Sequence, residues 1–239
     1  EVNPPGNPNT PPTSVPNQSW RRFNSPVPFD PALTPPANPI QDALNAAAAR
    51  NQNPQRTLVV VYPNPALTAF NPTQAYFTNL VMHSSVQLQG VGPGGVYTDT
   101  NGLHNVIGSV LNGNGFGGDT TTADAWRTLV AGLQWDGDQT VYEGAVVTVL
   151  AQDGQFNFAN NNTATSPYRA AIDGFTIEGG DQLGFPTNIN QIGGGNNGQQ
   201  PVVEAQGGGI FVNGYARYLQ ITNNILRSNG GAYGGAVRL

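Results

Sequence analysis

Along residues 57–239, short apolar segments alternate with turns rich in Gly and Asn. The candidate strands are residues 57–63, 79–82, 86–91, 106–111, 141–151, 170–177, 209–212, 218–226 and 236–239. They are rich in Val, Ile and Leu, and most are too short for a helix. Many short strands with regular turns are typical of a solenoid or a sandwich.

One segment ahead of these strands predicts a helix over residues 39–50. Asn38 suits the N-cap, and Pro39 suits the first helical position. Asp42 near the start and Arg50 at the end complement the helix dipole. One face of the helix is apolar, with Ile40, Leu44, Ala47 and Ala48. Such a short amphipathic helix is expected to cover other apolar residues.

Internal similarity favours the solenoid over the sandwich. Residues 205–210 (AQGGGI) match residues 232–237 (AYGGAV), and residues 172–177 match residues 221–226 more weakly. The interval between the two segments of the first match suits one coil of a solenoid, in which each coil buries its apolar side against the next.

The weaker match also predicts a corner in each coil. It aligns Gly174 with Asn223, and both residue types tolerate the positive φ that a tight corner demands. A stack of coils needs a cover at its end, so the helix at 39–50 is expected to be the N-terminal cap.

These residues resemble right-handed parallel β-helix proteins of the pectin-lyase-like superfamily. The resemblance lies in IQDAL at residues 40–44, TLVVVYP at 57–63 and VQLQGVG at 86–92, with LQITNNIL at 219–226 in a later coil. It implies an all-β fold, a right-handed parallel β-helix (solenoid) with a short N-terminal capping helix. The superfamily includes polysaccharide lyases and hydrolases, tailspikes, adhesins and large bacterial surface proteins, so the fold leaves function open.

The predicted organisation is a Pro-rich arm at 1–38 and a β-helix domain at 39–239 with insertions at about 112–140 and 181–204. Proline favours an extended arm, which is either a linker or a segment lying on the domain or on a neighbouring subunit. Its aromatic residues, which a plain spacer does not need, are Trp20, Phe23 and Phe29. The strand at 236–239 has no capping segment after it, so the chain is expected to continue beyond 239 or to be covered by another subunit.

Composition and charge exclude several classes. The net charge is -5 and no Lys is present, so no basic surface attracts nucleic acid. Absence of Cys excludes disulfides and thiolate metal sites. No apolar run approaches the roughly 20 residues of a membrane-spanning helix. The chain starts at Glu1 without an export signal, as expected of a processed chain or a fragment.

The resemblance implies which catalytic groups to look for. The superfamily's lyases combine acidic calcium ligands with an Arg or Lys base, and its hydrolases use paired Asp residues with a His and a basic residue. The arginines of the repeated region are Arg169, Arg217, Arg227 and Arg238, which are interpreted as solvated or coil-edge residues. His83 is interpreted as a strand end, and His104 also lies early in the chain. No catalytic residue is therefore assigned.

Acidic residues offer at most a weak metal site. Asp136, Asp138 and Glu143 place oxygen ligands at i, i+2 and i+7, a spacing that contributes to some calcium sites but lacks the other ligands of an EF-hand. An ordinary Asp-Gly turn is the favoured interpretation, so no metal or cofactor is assigned and calcium stays an alternative. Three further carboxylates are interpreted as surface turns, namely Asp173, Glu178 and Asp181.

Trp126 and Trp135 fall within the first insertion. Each is expected either to stack on a sugar ring or to hold the insertion against the coils, and the second role is favoured. Carbohydrate-binding residues are left unassigned.

The functional prediction is an extracellular or cell-surface scaffold without an evident catalytic site. One alternative is a polysaccharide lyase or glycoside hydrolase whose active coils lie downstream, and another is a carbohydrate-binding adhesin module. The expected partners are a polysaccharide, or other copies and surface proteins contacted through the N-terminal arm and the C-terminal coil.

Overall fold

The computed structural model describes only part of the chain. The described residues are 38–50, 57–64, 71–113, 120–137, 145–154, 162–163, 166–167, 169–180, 208–230 and 235–239. Of the predicted arm only Asn38 is among them, and the predicted insertion at 181–204 lies outside them.

The first helix, α1 (Pro39–Arg50), has the predicted bounds. Asn38 is its N-cap, because the Asn38 Oδ1 atom accepts a hydrogen bond from the Gln41 amide at 3.1 Å. Three residues of the predicted apolar face are buried in the main core, namely Ile40, Leu44 and Ala47, and Ala48 lies at the margin, half-buried. The predicted N-cap residue and the predicted apolar face of the helix are confirmed.

Twelve of the described strands form three parallel four-stranded sheets. The first sheet contains β1 (Leu58–Val61), β4 (Gln87–Gly90), β11 (Ala171–Asp173) and β14 (Gln220–Thr222). The second contains β2 (Ala75–Phe77), β7 (Ser109–Asn112), β12 (Phe175–Glu178) and β15 (Ile225–Arg227). The third contains β3 (Leu80–Met82), β8 (Val147–Val149), β13 (Ile210–Val212) and β16 (Val237–Arg238).

The chain visits the three sheets in the same order four times, and we call each passage a round. The rounds are β1-β2-β3, β4-β7-β8, β11-β12-β13 and β14-β15-β16. Within each sheet every strand pairs in parallel with the strand of the next round. The prediction of an all-β chain is confirmed at this level, with parallel sheets and few helices.

The strand register confirms both internal repeats. Ile210 pairs with Val237, its counterpart in the first match, and Ile172 pairs with Ile221, its counterpart in the weaker match. Because the register is continuous, equivalent apolar residues of successive rounds lie side by side in the core. The row in the first sheet is Val59, Leu88, Ile172 and Ile221, and that in the third sheet is Leu80, Val147, Ile210 and Val237.

The corner between the first two sheets has the predicted conformation. Gly174 has a φ of 77° and Asn223, its counterpart one round later, has a φ of 52°. Gly90 occupies the same corner one round earlier, where any side chain would overlap the Gly174 carbonyl oxygen. Gly174 and Asn223 therefore suit this corner because they tolerate positive φ, and Gly90 suits it because no space is left for a side chain.

Asparagine side chains tie the corners of successive rounds together. In each case Oδ1 accepts a backbone N–H of the previous round and Nδ2 donates to a backbone carbonyl there. Asn224 bonds Phe175 and Ile172, Asn229 bonds Gly180 and Ile177, and Asn213 bonds both groups of Ala151, at 2.7–3.1 Å. These bonds supply hydrogen-bond partners to backbone groups in and beside the ends of the strands of the previous round.

Several elements were not predicted. A second helix, α2 (Thr120–Ala131), lies within the insertion at 112–140, and β2 was missed. The predicted strand at 106–111 is wrong at its start, because Val106 ends the second strand of an antiparallel hairpin formed by β5 (Gly95–Asp99) and β6 (Gly102–Val106). A short antiparallel pair, β9 (Asn162–Thr163) and β10 (Ser166–Pro167), completes the described strands.

Side-chain amides close the edges of the first round. The Gln41 side chain accepts from the Val81 amide at 2.8 Å and donates to the Val81 carbonyl at 3.0 Å. Asn71 does the same for Ala75 of β2, at 2.8 and 2.9 Å. Since an open edge strand invites pairing with another strand, these side chains protect the start of two sheets.

Replacing Gln41 with Ala tests this protection. The buried Val81 amide and carbonyl would lose their bonds to the Gln41 side chain. Leaving these groups unsatisfied should lower the free energy of unfolding by about 2–3 kcal/mol. Urea denaturation measures the change. Ala49→Ser on the exposed part of the same helix serves as the control and should cost less than about 0.5 kcal/mol. Equal losses in the two variants would contradict the edge-capping role.

Candidate functional site

The outward side of the first sheet carries a row of bonded polar side chains. Asp173 of β11 pairs in register with Gln89 of β4 and with Thr222 of β14. Gln89 donates to Asp173 Oδ2 at 2.6 Å, and Thr222 donates to Asp173 Oδ1 at 2.6 Å. Asn223 adds a third bond to Oδ1 at 2.7 Å. We call Gln89, Asp173, Thr222 and Asn223 the first polar ladder, and it connects three rounds.

These donors set the ionisation of Asp173. The Thr222 hydrogen bond lowers the pKa of Asp173, desolvation opposes it, and the bonds from Gln89 and Asn223 lower the pKa further. The net effect is a pKa below the ordinary value, because all three neighbours donate to the ionised form. Asp173 is therefore a fixed, ionised acceptor at neutral pH rather than a proton donor.

A second polar ladder lies on the outward side of the second sheet, where Glu178 pairs in register with Asn112 and Arg227. Arg227 Nε donates to Glu178 Oε2 at 2.8 Å, and Asn112 Nδ2 donates to Oε1 at 3.4 Å. The Glu178 side chain is 13% exposed and that of Arg227 is 54% exposed, so the ion pair is partly shielded from solvent. This ladder again connects three rounds.

The two ladders correct one prediction. Asp173 and Glu178 were interpreted as surface turns, but each ends a strand and bonds side chains of both neighbouring rounds. The reason is the strand register, which places residues distant in sequence beside each other. Asp181, the third residue of that set, lies outside the described residues.

The two histidines lie at a strand end and in a hairpin strand. His83 directly follows β3, as predicted, and its Nε2 atom lies 3.2 Å from Asn45 Oδ1 of α1. Burial lowers the pKa of His83, and a backbone hydrogen bond partly opposes this. His104 lies in β6, paired with Tyr97. In the described part of the chain no three His, Asp or Glu side chains form a group that could hold a metal ion.

Asp136, the described member of the candidate calcium motif, is part of a turn. Its Oδ2 atom accepts from the Asp153 amide at 2.6 Å, and its own amide donates to the Ala151 carbonyl at 3.1 Å. Asp153 in turn forms an exposed ion pair with Arg217 at 3.1 Å. Asp138 and Glu143 lie outside the described residues, so the calcium alternative stays a prediction.

Trp126 and Trp135 hold α2 on the outward side of the third sheet. Both are buried, each 6% exposed, in a second core that includes Val81 and Phe211 of that sheet. The predicted role of holding the insertion against the strands is confirmed. The spacing of Trp126, Leu129, Val130 and Leu133 at i, i+3, i+4 and i+7 is the signal by which α2 could have been predicted.

The remaining arginines lie apart from one another. Arg169 is exposed, and its carbonyl oxygen accepts a bond from Gln87 at 3.1 Å. Arg238 in β16 is half-buried, with its guanidinium 5.9 Å from the centre of the Phe211 ring. Arg227 belongs to the second polar ladder. The coil-edge interpretation suits these positions, but Arg227 pairs with Glu178 and Arg217 pairs with Asp153, so these two arginines are bonded rather than simply solvated.

Comparison of the chain with models of known protein families, with curated proteins and with solved structures finds no match in any of the three. Neither helix of the described residues is long and apolar enough to cross a membrane. The contacts of the side chains themselves are therefore the basis for a functional assignment.

The first polar ladder makes stability depend on pH. Because the folded-state pKa of Asp173 is lowered, its stabilising effect is present above the unfolded value of about 3.9 and is lost as pH falls through the folded value. Asp173→Asn should cost about 1 kcal/mol of unfolding free energy at neutral pH, since solvent reaches the site and weakens its bonds. The difference from the unmodified chain should shrink in acid.

Urea denaturation of both proteins over a series of acidic to neutral pH values measures this. Asp124→Asn is the control, because it removes an exposed pair with Arg127 on α2 and should cost less than about 0.5 kcal/mol. A difference at Asp173 that does not shrink in acid would contradict the ladder's charge-dependent role.

Proposed function

We propose that residues 39–239 form a right-handed parallel β-helix of the pectin-lyase-like type, which serves as an extracellular or cell-surface scaffold. Four rounds through three parallel sheets support a stacked coil arrangement. The inward apolar rows support it further, as do the asparagines that bond the backbone of the previous round. In this arrangement α1 is the cap over the first round.

The observation that carries the scaffold role is that the carboxylates in the strands bond side chains of neighbouring rounds. Asp173 and Glu178 are the carboxylates in the described strands of the three sheets, and both bond side chains of the rounds before and after. A general acid or base must be free to reach the proton that it transfers on the substrate. Carboxylates held as fixed acceptors instead stabilise the stack.

Composition supports the extracellular location. Charged residues make up 10% of the chain, and Asn, Gln, Thr and Ser supply most of its polar residues. A surface of this composition is hydrated without strong fields that would attract nucleic acid. In the superfamily that the chain resembles, large bacterial surface proteins are one of the known classes.

A carbohydrate-binding adhesin module is a second candidate, favoured by the amides beside the first polar ladder. Gln220 is exposed and Gln87 is half-exposed on the same side of the first sheet. Amide groups both donate and accept hydrogen bonds, as sugar hydroxyls do. Glycan binding without turnover would favour this candidate over a plain scaffold.

Incubation with uronate-containing and neutral polysaccharides, with and without calcium, separates these roles from an enzyme. We expect neither unsaturated products, detected by ultraviolet absorbance, nor new reducing ends. Calorimetric titration with the same glycans tests binding. Turnover that Asp173→Asn abolishes and Asp124→Asn retains would contradict the scaffold role and place a catalytic group in the first polar ladder.

Protease treatment of intact cells that produce the protein tests the location. We expect peptides of this chain to be released before lysis, together with those of other surface proteins. Release only after lysis, alongside a cytoplasmic marker, would contradict the extracellular assignment.

A further inference from the structure

Asparagine followed by glycine recurs along this chain. Such a pair is prone to deamidation, because glycine has no side chain to hinder attack of its backbone nitrogen on the asparagine side chain. Two of the pairs, at 114–115 and 197–198, lie outside the described residues. The structure describes four, which are Asn101-Gly102, Asn112-Gly113, Asn213-Gly214 and Asn229-Gly230. The attack needs a movable asparagine side chain and a released glycine amide, so the fold decides which pair reacts.

The stack holds both reacting groups of the pair in the last round. Asn229 Oδ1 accepts from the Gly180 amide at 2.9 Å, and its Nδ2 atom donates to the Ile177 carbonyl at 2.9 Å. The Gly230 amide donates to the Gly180 carbonyl at 2.6 Å. This pair must therefore break three bonds to the previous round before it can react.

Two further pairs are held in a similar way. The Asn213 side chain bonds the amide and the carbonyl of Ala151, at 3.1 and 2.8 Å. The Asn112 side chain donates to Glu178 Oε1 at 3.4 Å, and the Gly113 amide donates to the Glu178 carbonyl at 2.9 Å. Reaction at either pair again requires bonds between rounds to open.

The fourth pair lies at the tip of the β5–β6 hairpin. Asn101 is exposed, whereas the asparagines of the other three pairs are half-buried. Gly102 pairs with Asp99 in the last pair of the hairpin. No atom of the described residues, chain neighbours aside, lies within 4 Å of the point where a side chain on Gly102 would begin. The tip therefore leaves room for the asparagine side chain to fold back on the backbone.

Opening of this tip is a local event. β5 and β6 form a two-stranded sheet of their own, separate from the three sheets of the stack. A two-stranded ribbon is only marginally stable by itself, and the last pair of an element opens at a small cost in free energy. The Gly102 amide is thus released far more often than amides that bond between rounds.

We propose that Asn101-Gly102 is a site of spontaneous deamidation, and that the fold makes it the fastest of the four described pairs. The Gly102 nitrogen gives up its proton to water and attacks Asn101 Cγ. A bond forms between these two atoms, the bond from Cγ to Nδ2 breaks, and ammonia leaves. Water then opens the resulting succinimide ring at either carbonyl, which gives aspartate or isoaspartate at position 101.

The reaction changes the surface of the hairpin. Both products carry a carboxylate in place of the Asn101 amide, which adds one negative charge to a chain with a net charge of -5. The isoaspartate product also inserts one carbon into the backbone, directly before the positive φ of Gly102. The age of a folded chain is therefore recorded at one defined position. The proposal does not depend on the scaffold role.

Incubation of the folded full chain in mildly alkaline heavy-oxygen water measures the rates. Each asparagine that deamidates during the incubation gains a heavy oxygen when water opens the ring. Pepsin digestion in acid then stops the reaction, and mass spectrometry of the peptides locates the label. We expect label at Asn101 at least about tenfold faster than at each of the other three, because those react only from the small fraction of molecules in which the stack has opened.

The same incubation in guanidinium chloride is the first control. The four rates should then lie within about threefold of one another, because the bonds of the folded state are lost. Asn101→Gln is a second check and should remove the main acidic form seen by ion exchange, since glutamine must close a larger, slower-forming ring. Asn105→Gln in β6 is its matched control and should retain that form.

Equal or slower labelling of Asn101 in the folded chain would overturn the proposal. An equally large lead of Asn101 in guanidinium chloride would overturn it too, because the local sequence rather than the fold would then set the rates.

Discussion

In-register parallel pairing between rounds is the constraint on which the other features of this chain depend. When each strand lies in register beside its counterpart, apolar residues stack on apolar residues inside, and polar residues stack on polar residues outside. A shift of one residue would turn the row of Leu88, Ile172 and Ile221 outward. The core rows, the two polar ladders and the asparagine corners all follow from the same register.

A stack of this kind must also manage its edges, and the first round does so with side chains. Gln41 and Asn71 use one amide each to bond a backbone N–H and carbonyl, in place of a neighbouring strand. The last round differs, since Ile221, Leu226 and Val237 of the inward rows are only partly buried. Because Gln41 and Asn71 occupy the free edges of β3 and β2, strand addition is blocked at the first round of the second and third sheets.

Sequence reasoning predicted the features that leave a signal within a short segment or in its repetition along the chain. The α1 helix followed from Asn38, Pro39 and a short apolar stripe, and the corner at Gly174 followed from the repeat. The polar ladders could not be predicted in the same way, because Gln89 and Asp173 lie 84 residues apart and the lengths of the intervening segments are irregular. The α2 helix was missed because its stripe lies in a Gly-rich insertion that was interpreted as a loop.

Disulfide trapping tests the register most directly, since the chain has no cysteine of its own. Paired positions on adjacent parallel strands lie about 4.8 Å apart, within reach of a disulfide, whereas a shift of two residues gives about 8 Å, which is too far. Glu178→Cys with Arg227→Cys is the in-register pair, and Glu178→Cys with Ile225→Cys is shifted by two residues on the same face. Mild oxidation followed by peptide mass analysis should find the disulfide in the first pair and not in the second. Equal oxidation of both pairs, or preference for the second, would contradict the stacked register.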